Sequence, residues 1–140
     1  MSVLIANRKT SKVEFVYTAR ELLVITLHNT KKLPKSITFY LTQDIVKYAR
    51  DTYTLVFRAN EIYLNQENYG MRRRYLQEAL NSLNAYQSLI SILFDVYHSC
   101  LTDCTWRSIG ELINKEHNLI KAVIESDSKR LPTDKLALQL

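Results

Sequence analysis

Apolar side chains recur along this chain at spacings of three and four residues, the period of an amphipathic helix. Four stretches carry the pattern. The first runs from about Lys12 to Asn29, with Val16, Ala19, Leu23 and Thr26 at heptad-like spacing and Leu22 and Leu27 widening the face. The second, from about Thr38 to Gln66, is the most regular. Leu41, Tyr48, Leu55 and Ile62 recur at heptad spacing, and Ile45, Thr52 and Ala59 fill the intermediate positions. The third, from about Met71 to Ser99, repeats it with Leu76, Ala79, Leu83, Tyr86, Ile90, Leu93 and Tyr97, broadened by Leu80, Leu89 and Phe94. The fourth, from about Thr105 to Ser126, offers Trp106, Ile109, Ile113, Ile120 and Val123.

The connections are short. In KKLPK, Pro34 cannot sit inside a helix and pushes Leu33 toward extended backbone. Lys31 and Lys32 suit the negative end of the helix that stops there, and Ser36 or Thr38 can begin the next. NQENYG brings turn chemistry through Asn68 and Gly70, and Thr102 or Asp103 can cap the last helix. Four helices joined this way predict an all-α, antiparallel up-down-up-down four-helix bundle over residues 1–126. Residues 127–140 contain Pro132, end in LALQL and read as a flexible tail.

Composition supports one helical domain. The chain has 140 residues and only 2 Gly and 2 Pro, too few for the turns of a β-sandwich or a Gly-rich nucleotide fold. No apolar run is long enough to cross a membrane, and the opening MSVLIANRKTSK is too short in apolar residues for a signal peptide. A cytoplasmic location and reduced Cys100 and Cys104 are expected.

Charge changes the picture. The net charge is +5, and it is uneven: Met1 to Arg58 carries ten Lys and Arg against four Asp and Glu, the rest nine against ten. The basic half is where an anionic partner is expected. Its candidates are Arg8, Lys9 and Lys12 before or at the first helix, Arg20 on it, Lys31, Lys32 and Lys35 in the loop, and Lys47, Arg50 and Arg58 on the second helix. The last three fall within an arc of roughly 80° away from the apolar seam. Arg72, Arg73 and Arg74 open the third helix, where each cation can cost about 0.3–1 kcal/mol against the helix dipole. Such a placement points either to phosphate contacts or to arginines that cover the bundle end and pair with Glu67 and Glu78.

Catalytic groupings are missing. The three histidines, His28, His98 and His117, form neither HExxH nor Glu-x-x-His, and no P-loop or nucleophile-elbow motif is present. His98, Cys100 and Cys104 lie close together, but they lack a fourth ligand and finger spacing, so packing is the preferred reading of the thiols. No catalytic residue, metal or cofactor is assigned. Of the nine tyrosines, Tyr48, Tyr86 and Tyr97 lie on seams, whereas Tyr17, Tyr53 and Tyr63 look exposed and suit base stacking or a protein interface. Apolar pairs off the seams, Val24 with Ile25 and Val56 with Phe57, favour a second buried face in an oligomer.

The stretch KKLPKSITFYLTQDIVKYA and the later RSIGELINK carry a family resemblance. The chain resembles the small four-helix-bundle proteins that include the accessory variability determinant of diversity-generating retroelements, with the rRNA intervening-sequence proteins as a related branch. The likeness covers roughly Val13 to Val123. It departs where the family often places Gly and Trp after the last segment; here the chain continues Asn114-Lys115-Glu116-His117, and its tryptophan is Trp106. The resemblance implies a homopentameric ring and a non-catalytic accessory protein that associates with a reverse transcriptase and with nucleic acid, with the Lys31, Lys32 and Lys35 loop and the basic residues of the first two helices contacting RNA, DNA or the polymerase. The competing expectation is an oligomeric interaction protein that binds no nucleic acid.

Overall fold

The computed structural model describes residues 3–131, and for residues 3–12 the backbone alone. The described residues are almost all helical, with no strand. They form a four-helix bundle: α1 (Val3–Asn29), α2 (Gln43–Glu61), α3 (Tyr69–Tyr97) and α4 (Asp103–Arg130). Helix α1 packs on α2 and α4, and α3 packs on the same two helices. Across the α1–α3 diagonal, Thr26 and Tyr86 meet in a buried 2.6 Å hydrogen bond. The Thr26 hydroxyl already donates to the Leu22 carbonyl at 2.7 Å, so the Tyr86 hydroxyl is the donor. Burial pushes the Tyr86 phenol up to about 12, against the pull of Thr26.

The apolar pattern locates the core to within a fraction of a turn. In α3 the agreement is close: Leu76, Ala79, Leu83, Tyr86 and Leu93 are buried. In α1 the buried face is Phe15, Thr18, Ala19, Leu22 and Thr26, one position round from Val16 and Leu23, and Leu27 is 50% exposed. In α2 the buried line runs through Ile45, Ala49, Thr52, Val56 and Ala59, with Tyr48 and Leu55 packed at its edge. Val56 is therefore core and not part of a second face. Ile25 also packs against the core, while Val24 and Phe57 stay at the surface. In α4, Ile109, Ile113 and Ile120 are buried, and Glu116 fills the gap in their seam with no exposed surface.

The boundaries differ from expectation for identifiable reasons. After α1 a 3-10 turn (Thr30–Lys32) leads to extended Leu33, and Pro34 then precedes a second 3-10 turn (Lys35–Ile37). A single π turn (Thr38–Thr42) follows before α2. Neither Ser36 nor Thr38 acts as a side-chain cap here. Ile37, Leu41, Ile45 and Ala49 are all buried at a spacing of four. In a regular α-helix that spacing drifts by about 40° per step, and the wider π turn absorbs part of the drift.

Helix α2 ends at Glu61, five residues before the expected Gln66, with extended Ile62 as its C-cap and Arg72 supplying donors to its last carbonyls. Arg72 Nη1 donates to the carbonyls of Ala59 at 2.9 Å and Ile62 at 3.3 Å. The next connection is turned by Asn65, whose Oδ1 accepts the Asn68 N–H at 2.8 Å. Thr102 caps α4 as expected, accepting the Thr105 N–H at 3.1 Å.

At its far end α4 continues past Ser126 through Arg130, so residues 127–130, read as the start of a flexible tail, belong to the helix. Asp127 is the reason. It is buried, and Arg72 Nε donates to its Oδ2 at 2.6 Å. The remainder of the expected tail, residues 132–140, lies outside the described residues. No helix among the described residues is long and apolar enough to cross a membrane.

Candidate nucleic-acid interface

The cationic candidates separate by what they already touch. Arg72 commits four of its five N–H donors to the fold. Nε and Nη2 engage Asp127, Nη1 caps α2, and the two side chains of the ion pair are only 11% and 4% exposed. Neither of the expected partners, Glu67 or Glu78, is used. Arg72, expected among the binding residues, thus has most of its donors engaged within the fold. Arg73 is half-buried over the Tyr69 ring, and its Nη1 donates to the Tyr69 hydroxyl at 2.8 Å and to Ser128 Oγ at 3.2 Å. Of the three arginines, Arg74 alone is classed with the exposed residues.

Helix surfaces hold a second group. Lys47 pairs with Asp51 at 3.3 Å and lies 4.7 Å from the centre of the Tyr48 ring. Arg50 and Arg58 are exposed. Arg20 is exposed too, but it lines a groove of about 590 Å³ between α1 and α4 together with Glu21, Glu111 and Lys115. Both signs of charge meet there, which is a poor surface for a polyanion. A larger cleft of about 630 Å³ is lined by Glu14, Phe15, Tyr63, Arg72, Asp127 and Arg130 among others, and its walls are again of mixed charge. The side chains of Arg8, Lys9 and Lys12 lie outside the described residues.

The loop is different. Lys31, Lys32 and Lys35 are exposed, and none enters an ion pair among the described residues. The chain from Leu22 to Gln43 contains no acidic residue. The same turn presents Phe39 and Tyr40, 82% and 83% exposed, the barest large apolar side chains of the described residues. The reason is local. Ile37, Leu41 and Thr42 are buried and anchor the turn from below, which leaves the two rings between them to face water. Sequence reasoning singled out Tyr17, Tyr53 and Tyr63 and passed over this pair. The signal was present, since positions 39 and 40 fall off the seam that Leu41, Ile45 and Tyr48 define. Of the three tyrosines, Tyr63 is 79% and Tyr17 41% exposed, whereas Tyr53 packs against the core and against Phe57.

Other chemistry is sparse among the described residues. No group of three or more His, Cys, Asp or Glu is placed to hold a metal ion. Around His98, the Trp106 indole donates to the His98 carbonyl at 2.7 Å, and Phe94 meets Trp106 edge-on at 5.2 Å. Cys100 packs against the core, where burial pushes its thiol up, and Cys104 is exposed. Glu116 is the one strongly perturbed carboxyl. Burial raises it to about 9 against the opposing pull of Lys115, and neither oxygen has a hydrogen-bond partner. It lies in the bundle seam between Ile113 and Ile120 and lines neither cleft.

No family model matches this chain, and neither a curated protein nor a solved structure matches it. The functional reading therefore rests on the residues themselves.

Proposed function

We propose that this protein is a non-catalytic, cytoplasmic accessory subunit that binds nucleic acid and works with a reverse transcriptase. One observation carries the nucleic-acid part: Lys31, Lys32 and Lys35 project unpaired from an acid-free stretch that also exposes Phe39 and Tyr40. Unpaired cations attract phosphate, and bare aromatic rings beside them offer apolar contact that a merely solvated charged face lacks. Exposed Arg50, Arg58 and Arg74 extend the positive surface. The reverse-transcriptase partner rests on the resemblance carried by KKLPKSITFYLTQDIVKYA and RSIGELINK alone.

The proposal includes an antiparallel arrangement and a ring of copies. The first is supported by the meeting of Arg72 with Asp127 near one pair of helix ends and of Phe94 with Trp106 near the other. Exposed Val24, Leu27, Ile92 and Val96 support the second, and they equally favour an oligomer that binds only protein.

Fluorescence anisotropy with a labelled RNA over a salt series separates these readings. Binding that weakens steeply with salt is expected. Replacement of Lys31, Lys32 and Lys35 by Glu should abolish most of it while helix content is unchanged, and the log–log salt slope should fall by about 0.7 for each lost phosphate contact on a single strand. Absent binding at low salt, or affinity untouched by the triple replacement, rejects the loop as the interface. Purification of the tagged protein from its native host, with identification of co-purifying protein and RNA, tests the polymerase partner.

A further inference from the structure

We propose that Phe39 and Tyr40 form a stacking platform for unpaired bases, so that the loop takes single-stranded nucleic acid in preference to duplex. This rests on the nucleic-acid reading above and names the class of ligand.

The argument begins with cost. Two adjacent rings, each more than four-fifths exposed, forgo the stabilisation that burying each would bring. They are held there by a built turn. The Gln43 N–H closes the π turn onto the Thr38 carbonyl, and Ile37, Leu41 and Thr42 are buried beneath it. Single π turns recur at functional sites, where the widened backbone re-aims side chains. The rings are therefore presented by a hydrogen-bonded scaffold, with less ordering to be done on binding than a loose loop would require.

Charge then selects the occupant. Lys35 precedes Phe39 by one turn, and Lys31 and Lys32 lie just across Pro34. The acid nearest the rings in sequence, exposed Asp44, follows Tyr40 by four residues and forms no ion pair with these lysines among the described residues. An apolar patch beside three unpaired cations fits a partner that is anionic and flat-faced at once. A single strand is such a partner: its phosphates meet the lysines, and its bases offer π faces to the rings. In a duplex those faces are buried in the stack, and only the phosphates remain to be bound. Contact through stacking predicts tolerance of base sequence.

The test compares three probes of one length on the full chain: a mixed-sequence DNA strand, the same strand annealed to its complement, and an abasic strand. The intact protein should bind the base-bearing strand at least tenfold more tightly than the other two. Phe39→Ala with Tyr40→Ala should erase that preference, leaving duplex and abasic binding within about twofold. Trp at both positions should restore it. Both side chains are largely solvent-exposed, so the alanine variant empties no core, and circular dichroism checks its helix content. Equal affinity for all three probes, or an alanine variant that weakens all three alike, overturns the platform while leaving a phosphate-binding loop. Absence of binding to any probe at low salt overturns the parent reading instead. An alanine variant that changes the sedimentation state but not single-strand affinity assigns the rings to a protein interface and also overturns the platform.

Discussion

Two runs of basic residues look alike in one dimension and differ entirely in three. Arg72, Arg73 and Arg74 sit in a row at the start of α3; Lys31, Lys32 and Lys35 bracket Pro34 between α1 and α2. Arginine's five-donor fork suits buried recognition, and at Arg72 four of the donors are taken by a carboxylate and two carbonyls on other parts of the chain, while Arg74 stays exposed. Lysine's hydrated ammonium is ill suited to such a place, and the three lysines stay in water. The comparison teaches that a count of cations does not locate an anion site. What matters is whether the fold has already supplied each cation with a partner.

The arginine end should break first and furthest. Arg72→Ala leaves the Asp127 carboxylate buried without its cation and strips the cap from α2. Breaking a buried ion pair in this way costs about 3–5 kcal/mol, read as a lowered midpoint in urea denaturation. Nucleic-acid affinity of the surviving folded fraction should be unchanged. A loss below about 1 kcal/mol would show that water reaches Asp127 freely, and the contrast between the two ends would lose its basis.

These two regions also mark how far the residues alone disclose the fold. Helix number, order and the α3 seam were legible because period and punctuation are local properties. The exact face of α1 was not: Phe15, Val16, Leu22 and Leu23 offer overlapping stripes, and only contact with α2 and α4 selects the buried one. The partner of Arg72 was illegible for the same reason, since Asp127 lies 55 residues away and was read as tail. The loop lysines were legible as candidates. Phe39 and Tyr40 were legible in principle, because two large aromatics outside the seam beside a proline turn have no core to enter.

A core position sharpens the contrast from the opposite sign of charge. Glu116 is a carboxyl with no partner, where Asp127 has one. Its folded value of about 9 lies above the ordinary 4.5, so the folded state holds a proton that the unfolded chain releases. The contribution of Glu116 to stability is fully present below about pH 4.5 and is lost as pH rises, by about 1.4 kcal/mol per pH unit, until the folded carboxyl itself ionises near pH 9. Glu116→Gln cannot ionise. It should remove this slope, match the parent near pH 5 and exceed its stability by about 2–3 kcal/mol near neutrality, as measured by denaturant midpoints across the range. A parent protein whose midpoint does not fall between pH 5 and 8 would mean that Glu116 is ionised and solvated in the folded state.

The smallest effect on stability belongs to the loop, and its smallness is the informative part. Ser at positions 31, 32 and 35 removes three charges that touch no acid, and exposed substitutions away from caps, cores and ion pairs stay within about 0.5 kcal/mol each. Lys31 and Lys32 do lie at the end of α1, where a cation favours the helix dipole, so a small loss remains. Arg72→Ala should therefore cost stability and spare binding, while the lysine replacements should cost binding and spare stability. If instead the triple Ser variant unfolds several kcal/mol more easily, the lysines have a structural partner after all. The loop would then be a helix stop like any other, and the exposed rings beside it would need a different occupant.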